Sequence, residues 1–427
     1  MKFFLNIIFL MGSLFFAACN DLYDLPDPKV PINEGSFNSL DELVSYSTKI
    51  GYVPSYTTNG GEYGLISMGD IDSCIVMKSG KIKCWGNNAN GQLGLGNLVN
   101  QETPVTATNL GLSGVSSGDF AVAVTSVLLH TCAYFKSGFK CWGDQTNGKL
   151  GNGLTAAANV LSPVAVGTLG GKTVKKFNAG DQHSCAIFTD GTLKCWGLNT
   201  NGQLGDGTTT LNAAGVSPNL GGASVVEFSC NDFSSCSITS NKDLKCWGTL
   251  LTGSSSPSTI AANAAFVASG DGGDGGAEFS CFVNNNQNAY CFGSTNTYGQ
   301  FGNGTTSASA TPVPVSSISG VSMMITAAQR ACAVTNNNKS VYCWGQNNSG
   351  QLGNGNTTSY TIPQKVVGLP ASETVVDIAC GDNVTCVLLS NDDLYCWGQN
   401  NSGHYLGISY STTMSSSAIK ILNRNDP

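Results

Sequence analysis

Cysteine dominates the chemistry this sequence could perform, with 17 thiols against 3 histidines. Most of them form seven couples: Cys74 with Cys84, Cys132 with Cys141, Cys185 with Cys195, Cys236 with Cys246, Cys281 with Cys291, Cys332 with Cys343 and Cys386 with Cys396. The second member of each couple opens a Cys-Trp-Gly tripeptide, or Cys-Phe-Gly at Cys291. Two chemistries use paired cysteines, disulfide formation and zinc ligation. A hairpin drawn from Cys185 to Cys195 discriminates between them. A three-residue turn Thr189-Asp190-Gly191 places glycine where a left-handed residue is needed. Phe188 then pairs with Thr192, and the two cysteines fall opposite each other in a non-hydrogen-bonded slot, about 4.5 Å apart at Cα. That distance suits a cross-strand disulfide, and Cys74 with Cys84 repeats it around Lys78-Ser79-Gly80. Couples of this spacing without histidine match no common zinc site. Cys230 and Cys380 are left over; each precedes the first cysteine of its unit by six residues. Both are expected to be buried thiols outside any bridge.

The other candidate groups are sparse. His130 and His183 occupy matched places in two units, where the others carry Asp72, Ser234, Phe279, Arg330 and Val384. Matched histidines point to a shared structural hydrogen bond before a metal. Gly270–Gly275 satisfies G-x-G-x-x-G, but Asp271 and Asp274 would repel a dinucleotide's phosphates. The same two aspartates offer a calcium site, although the fuller spacing of a calcium loop is missing. No Ser-His-Asp order, H-E-x-x-H, P-loop or nucleophile elbow occurs. The reading is therefore a protein without a cofactor and without a catalytic constellation. Charged residues make up only 11% of the chain, at a net −7, and no run of Lys or Arg appears. A phosphate-reading nucleic-acid binder would carry one. Aromatics, cysteines and 41% hydrophobic residues argue against disorder.

The elements that must position these cysteines form a repeat. The Cys-Trp-Gly copies recur at steps of 45–57 residues. Most are followed by a glycine-rich loop, such as Asn201-Gly202-Gln203-Leu204-Gly205, and then by a Pro-Val segment, such as Pro104-Val105. Each unit thus offers about four short strands separated by turn signals, the signature of a β-propeller blade. Trp85, Trp142, Trp196, Trp247, Trp344 and Trp397 point away from the adjacent cysteine's face. They read as packing between blades; an aromatic ring for a ligand is the sharper alternative.

The unit Ala179-Gly180-Asp181-Gln182-His183-Ser184-Cys185, followed by Asp190-Gly191, Cys195-Trp196-Gly197 and Asn201–Gly207, resembles the regulator of chromosome condensation repeat. It is similar to the bacterial, cysteine-paired version, and the resemblance covers about residues 65–422. It implies an all-β, seven-bladed propeller with in-blade disulfides. It does not carry over the nucleotide-exchange activity of the eukaryotic members. A Pro-Val-like strand at Ala418–Leu422 follows the last hairpin, and the expectation is that it closes the ring by completing the first blade beside Ile66–Cys84.

Residues 1–18 read as a signal peptide, with Lys2, the apolar stretch Phe3–Phe16, and Ala17-Ala18 before Cys19. Cys19 then resembles the acylated, palmitate-bearing cysteine of a bacterial lipoprotein, with Phe16 departing from the usual Leu; an ordinary secretory signal is the plainer alternative. Residues 19–60 form an acidic, proline-rich tether and N-terminal segment, with a short helix over Ser39–Ser47, and residues 61–427 form the propeller. The expected location is the bacterial cell envelope, as an outer membrane lipoprotein on the periplasmic or surface face. The expected role is binding an unidentified protein partner, with a membrane anchor at Cys19 and no nucleic acid. Units 4, 5 and 7 depart most from the repeat, which makes Phe233, Tyr298, His404 and Tyr405 candidate contacts. The alternatives are inhibition of a secreted or periplasmic enzyme, a structural envelope role, and an enzyme using the propeller channel.

Overall fold

Turn chemistry shapes each unit. In the computed structural model, Phe188 N–H donates to Thr192 O at 2.9 Å, Gly191 N–H donates to Phe188 O at 2.9 Å, and Gly191 has φ 78°. The hairpin that follows sets Cys185 opposite Cys195, and the same register recurs in all seven couples. Bridges join Cys74 to Cys84, Cys132 to Cys141, Cys185 to Cys195 and Cys236 to Cys246. They also join Cys281 to Cys291, Cys332 to Cys343 and Cys386 to Cys396. Their Cα atoms lie 4.0–4.2 Å apart, somewhat closer than the ideal slot, because each bridge draws its two strands together. Cys230 and Cys380 are buried and lie outside any bridge. The structure describes residues 64–426 apart from 113–117, 251–252, 271–277, 336, 402–405 and 410–411. Cys19, the signal peptide, the tether and the Ser39–Ser47 helix lie outside the described residues.

The units fold as seven four-stranded antiparallel sheets, each a simple meander. Blade 3 shows the pattern with Val174–Ala179, His183–Phe188, Leu193–Gly197 and Asn212–Val216. The first strand faces the central axis and the fourth lies at the rim. The Pro-Val segments supply the rim strands; prolines 104, 163, 257, 312 and 363 all sit there, at the edge position that can spare an N–H. The protein is a seven-bladed β-propeller.

Its core is a set of layers between blades. One layer joins Phe139 and Leu150 of blade 2 to Phe177, Phe188 and Trp196 of blade 3. An indole bond ties five of these layers together. Trp142 Nε1 donates to Gln92 O at 2.8 Å, Trp196 to Lys149 O at 3.0 Å, and Trp247 to Gln203 O at 2.8 Å. Trp344 uses Gln300 O at 2.9 Å and Trp397 uses Gln351 O at 3.0 Å. The acceptor always belongs to the Gly-Gln-Leu-Gly loop of the preceding blade, or to its Lys149 or Phe301 variant. The loop's last glycine admits the ring: a Cβ on Gly353 would stand 2.6 Å from Trp397 Nε1, and the residue has φ 69°. Blade 4 lacks this loop, and blade 5 carries Phe292, which has no N–H to donate. Loss of the acceptor coincides with loss of the donor, so neither is stranded. Trp196→Phe should cost about 0.5–1.5 kcal/mol by removing the indole bond, because Ser184 Oγ still donates to the Lys149 carbonyl at 3.0 Å. Trp196→Ala should cost about 3–5 kcal/mol through the cavity. Denaturant unfolding of the two variants checks the order, and a Trp196→Phe variant as stable as the parent would show that the hydrogen bond contributes nothing.

The C-terminal strand sits elsewhere than expected. Met414–Asn423 pairs with Asp393–Gln399 as the fourth strand of blade 7. Blade 1 is filled by its own Gln101–Thr106, paired with Ile82–Gly86. Every Pro-Val segment belongs to the hairpin before it, so the first blade has no vacancy for residues 418–422. The ring closes instead by side-on contact. Leu65 and Ile66 N–H groups donate to Asp377 Oδ2 at 2.8 and 3.1 Å. From the C-terminal strand's end, Arg424 Nε donates to Val76 O at 2.8 Å, and Lys78 N–H donates to Arg424 O at 3.2 Å.

Candidate functional site at the channel mouth

In a meander the turns after the first strands and the loops after the third strands lie at one end of the ring. That end holds the mouth of the central channel. All seven blades line it, with Asp70, Val127, Asp181, Asp232, Ser269, Thr326 and Gly381 among the contributors. Glycine sets its tightness. A Cβ on Gly180 would stand 2.0 Å from Asn231 O, and one on Gly381 would stand 2.2 Å from Gly69 O. The turns repeat one bond, such as Gly180 N–H to His183 O at 2.9 Å and Gly381 N–H to Val384 O at 3.0 Å. This Gly-Asp or Asn-Asp turn leaves Asp70, Asp181, Asp232 and Asp382 half-buried around the opening. The end's only basic side chains among the described residues, Lys149 and Arg330, are buried. Lys149 pairs with Asp144 at 2.7 Å, and Arg330 donates to Gly381 O and Val384 O, both at 2.6 Å. The mouth is therefore acidic.

Behind the turns, the residue that starts each second strand reaches toward the next blade. Asp72 accepts a hydrogen bond from Ser126, and His183 Nε2 lies 2.9 Å from Ser235 Oγ. His130 makes no such bond: neither ring nitrogen has a partner. The shared hydrogen bond expected for the two histidines exists only at His183. Burial holds both imidazoles down at about 3, His130 aided by the Lys149 charge. His183, Cys185 and Cys230 bring one nitrogen and two sulfurs within 4.8 Å of one another. Cys185 is committed to its bridge, so this trio lacks the ligands of a metal site. Burial raises the Cys380 thiol. A raised thiol and lowered imidazoles suit structural cysteines and not an activated nucleophile.

Acid lability follows from the two imidazoles. Their folded pKa values lie below the unfolded 6.5, so between about pH 6.5 and pH 3 the unfolded chain binds protons that the native chain refuses. Stability should fall as pH falls through this window, by about 1.4 kcal/mol per pH unit for each histidine. Asp72, raised by burial, opposes part of this loss. His130→Phe should flatten the fall of melting temperature with acid; an unchanged slope would show that His130 is not held neutral by burial.

The same end exposes large apolar side chains. Leu98 and Val99 in blade 1, Leu154 in blade 2, Leu211 in blade 3 and Met414 in blade 7 are 36–61% exposed there. The sequence-based candidates also lie at this end: Phe233 follows the first strand of blade 4 and Tyr298 the third strand of blade 5, both partly buried. His404, Tyr405, Asp271 and Asp274 lie outside the described residues. Sequence reasoning passed over Leu98, Leu154 and Leu211 because their loops keep the repeat pattern. The signal was available: blades 5 and 6 place Thr, Ser and Asn in the matching stretch.

The regulator of chromosome condensation (RCC1) repeat matches residues 79–124, 141–187 and 339–388, and a second profile of that repeat matches 174–203 and 375–403. This is a protein of RCC1 repeats. The RCC1-repeat chain is 28% identical to the ultraviolet-B receptor UVR8 of Arabidopsis thaliana over 362 residues, covering 81% of this chain and 78% of the receptor. It is 29% identical to the E3 ubiquitin-protein ligase HERC2 of Homo sapiens over 363 residues, which is 81% of this chain but only 7% of HERC2. Among solved structures, human WBSCR16 superposes with TM-score 0.65 at 18% identity, covering 80% of this chain and 94% of that one. Prp20p of Saccharomyces cerevisiae gives TM-score 0.62 at 17% identity, over 74% and 80%. At these identities the two structures speak for the fold.

Proposed function

We propose that this RCC1-repeat propeller is an exported, lipid-anchored binding module whose channel-mouth end engages a protein partner at the bacterial cell envelope. One observation carries the reading: among the described residues, five of the seven exposed large hydrophobics are at that end, which also holds a ring of half-buried carboxylates. Exposed apolar side chains gathered at one end of a polar molecule point to a protein interaction face. The similar Prp20p has binding properties toward Gsp1p and histones, which supports a protein-facing role for a propeller of this kind. The envelope location rests on Lys2, the apolar Phe3–Phe16, Ala17-Ala18 and Cys19, and on seven disulfides, which persist in oxidising compartments.

The test uses a triple variant, Leu98→Glu, Leu154→Glu and Leu211→Glu, against the parent chain in cross-linking on intact cells. The parent should form a discrete adduct that the variant loses while keeping its melting temperature. An adduct unchanged by the three substitutions moves the interface away from this end. For the anchor, with membranes washed in high salt to remove electrostatic binding, Cys19→Ser should shift the protein from the membrane pellet to the soluble fraction. Parent protein without acyl mass, or a variant that still pellets, removes the lipid anchor from the proposal.

A further inference from the structure

The opposite end of the ring carries the turns between second and third strands and the connections between blades. Apart from Lys149 and Arg330, every Lys and Arg after residue 63 lies toward that end. The lysines gather on one arc. The residue before Cys-Trp-Gly is Lys83, Lys140, Lys194 and Lys245 in blades 1–4, but Tyr290, Tyr342 and Tyr395 in blades 5–7. Each lies in the lower half of its third strand, half-exposed. Below them Lys81, Lys136, Lys175 and Lys242 are exposed and in no ion pair among the described residues. Asp119, Asp190 and Asp243 are the carboxylates on the surface of this arc, and two of them pair with Lys140 and Lys172 at 3.5 and 2.8 Å. On blades 6 and 7, Glu373, Asp392, Asp393 and Asp426 balance the basic groups. The propeller is thus polar along its axis, with an acidic mouth at one end and a four-blade arc of lysine at the other.

We propose that the lysine arc seats the propeller on an anionic lipid surface and turns the channel mouth away from it. Three features favour a lipid surface over an acidic protein or a nucleic acid. First, the arc's exposed cations are all Lys; the arginines Arg330 and Arg424 are buried in bonds within the fold. Lysine is a hydrated point charge that responds to a diffuse field, whereas shaped recognition of carboxylate or phosphate favours arginine. Second, this arc exposes no large apolar anchor among the described residues, since Leu98, Val99, Leu154 and Leu211 sit at the other end. Protein interfaces deplete Lys and concentrate their energy in aromatic and Arg anchors. Third, among the described residues the arc offers no exposed aromatic for bases to stack on: Phe120 and Phe135, which lie under Lys136 and Lys140, are buried, Tyr134 packs partly buried against the core, and the matching tyrosines belong to blades 5–7. A charged bilayer needs only a broad set of cations within a Debye length. The inference rests on the envelope reading for its setting, but its test does not use the acyl group.

The experiment takes the full chain with Cys19→Ser, so that no lipid tail contributes. It is sedimented with vesicles of phosphatidylglycerol mixed into phosphatidylcholine, and with vesicles of phosphatidylcholine alone. Binding should require phosphatidylglycerol and disappear as salt is raised. Each lysine near an anionic surface is worth roughly five-fold in affinity. The quadruple variant Lys81→Gln, Lys136→Gln, Lys175→Gln, Lys242→Gln should therefore bind roughly six-hundred-fold more weakly at an unchanged melting temperature. Lys339→Gln with Lys365→Gln, on blade 6, should change it only several-fold. Equal binding to both vesicle types, a quadruple variant that binds like its parent, or binding that survives high salt would each overturn the proposal. Tighter, arc-dependent binding to a double-stranded DNA oligomer than to the vesicles would overturn it in favour of nucleic acid. These results are independent of the Cys19→Ser fractionation and of the leucine triple variant, so either reading can fail alone.

Discussion

Reduction of the seven disulfides should unfold the propeller. Each bridge joins facing residues of a hairpin and closes a loop of 9–11 residues. By loop-closure entropy that is about 2.5 kcal/mol per bridge, and on the order of 15–20 kcal/mol for seven. A domain's whole stability is typically about 5–15 kcal/mol. The fold has few other reserves. Charged side chains are scarce, and 53 glycines raise the entropy that folding must overcome. The bridged cysteines are buried, none above 4% exposed, so reductant must act in denaturant. The expected sequence is clear. Denatured, unreduced protein exposes the Cys230 and Cys380 thiols, plus Cys19 where it is unmodified. Reduction adds those of the seven couples. Removal of denaturant with reductant kept then fails to restore the β-sheet circular dichroism, whereas the oxidised chain recovers it. A fully reduced chain that regains its spectrum and melts like the oxidised one would mean that the inter-blade layers hold the ring unaided.

What could be read from the sequence divides along physical lines. Local geometry was legible. The turn at Thr189-Asp190-Gly191 dictates which residues face each other, so the pairing of Cys185 with Cys195 follows from a count along two strands. The same count holds for Cys236 with Cys246 and Cys386 with Cys396, and it survives a turn one residue shorter at Cys132 with Cys141 and one longer at Cys332 with Cys343. The tryptophans' inward role was legible too, because an aromatic ring repeated in every unit must fill a repeated space. The acceptor of the indole N–H was not foreseen, although the sequence marks it: unit 4 loses Gly-Gln-Leu-Gly and the next unit changes Trp to Phe at 292. Closure was misjudged. Assigning the Pro-Val segment to its own hairpin or to the next one is a choice of phase that periodicity leaves open. Asp377, which receives the Leu65 and Ile66 N–H groups across 311–312 residues, carries no local signal at all. The site was less legible than the fold. Departures from the repeat drew attention to Phe233 and Tyr298, while the exposed leucines and the lysine arc sit inside units that keep the pattern. No linear run of Lys announces that arc; it emerges only when residues 83, 140, 194 and 245 are placed on neighbouring blades.

Deletion of residues 414–427 should destabilise the ring at blade 7 first, not at blade 1. The strand Met414–Asn423 ladders along Asp393–Gln399, and Ala418 and Leu422 are buried behind it. Its ladder and apolar burial together contribute on the order of 5 kcal/mol. The deletion also removes Arg424, held within the last blade by its Nη1 contact with Asp392 at 3.1 Å and tied to the first blade by its Nε bond to Val76 O. Two consequences are separable. Loss of the strand bares the edge of Asp393–Gln399, a template for pairing between chains, so the truncated protein should form concentration-dependent aggregates. Loss of the clamp alone, in Arg424→Met, keeps the edge covered and leaves Val76 O unpaired, so it should cost about 1–3 kcal/mol and stay monomeric. Hydrogen exchange distinguishes the possible seats of the strand. In the truncated chain the amides of Tyr395–Gly398 should lose protection while those of Lys83–Gly86 keep theirs, because Gln101–Thr106 still covers the first blade. Protection lost first at Lys83–Gly86 would place the C-terminal strand in blade 1 and refute the side-on closure through Asp377 and Arg424.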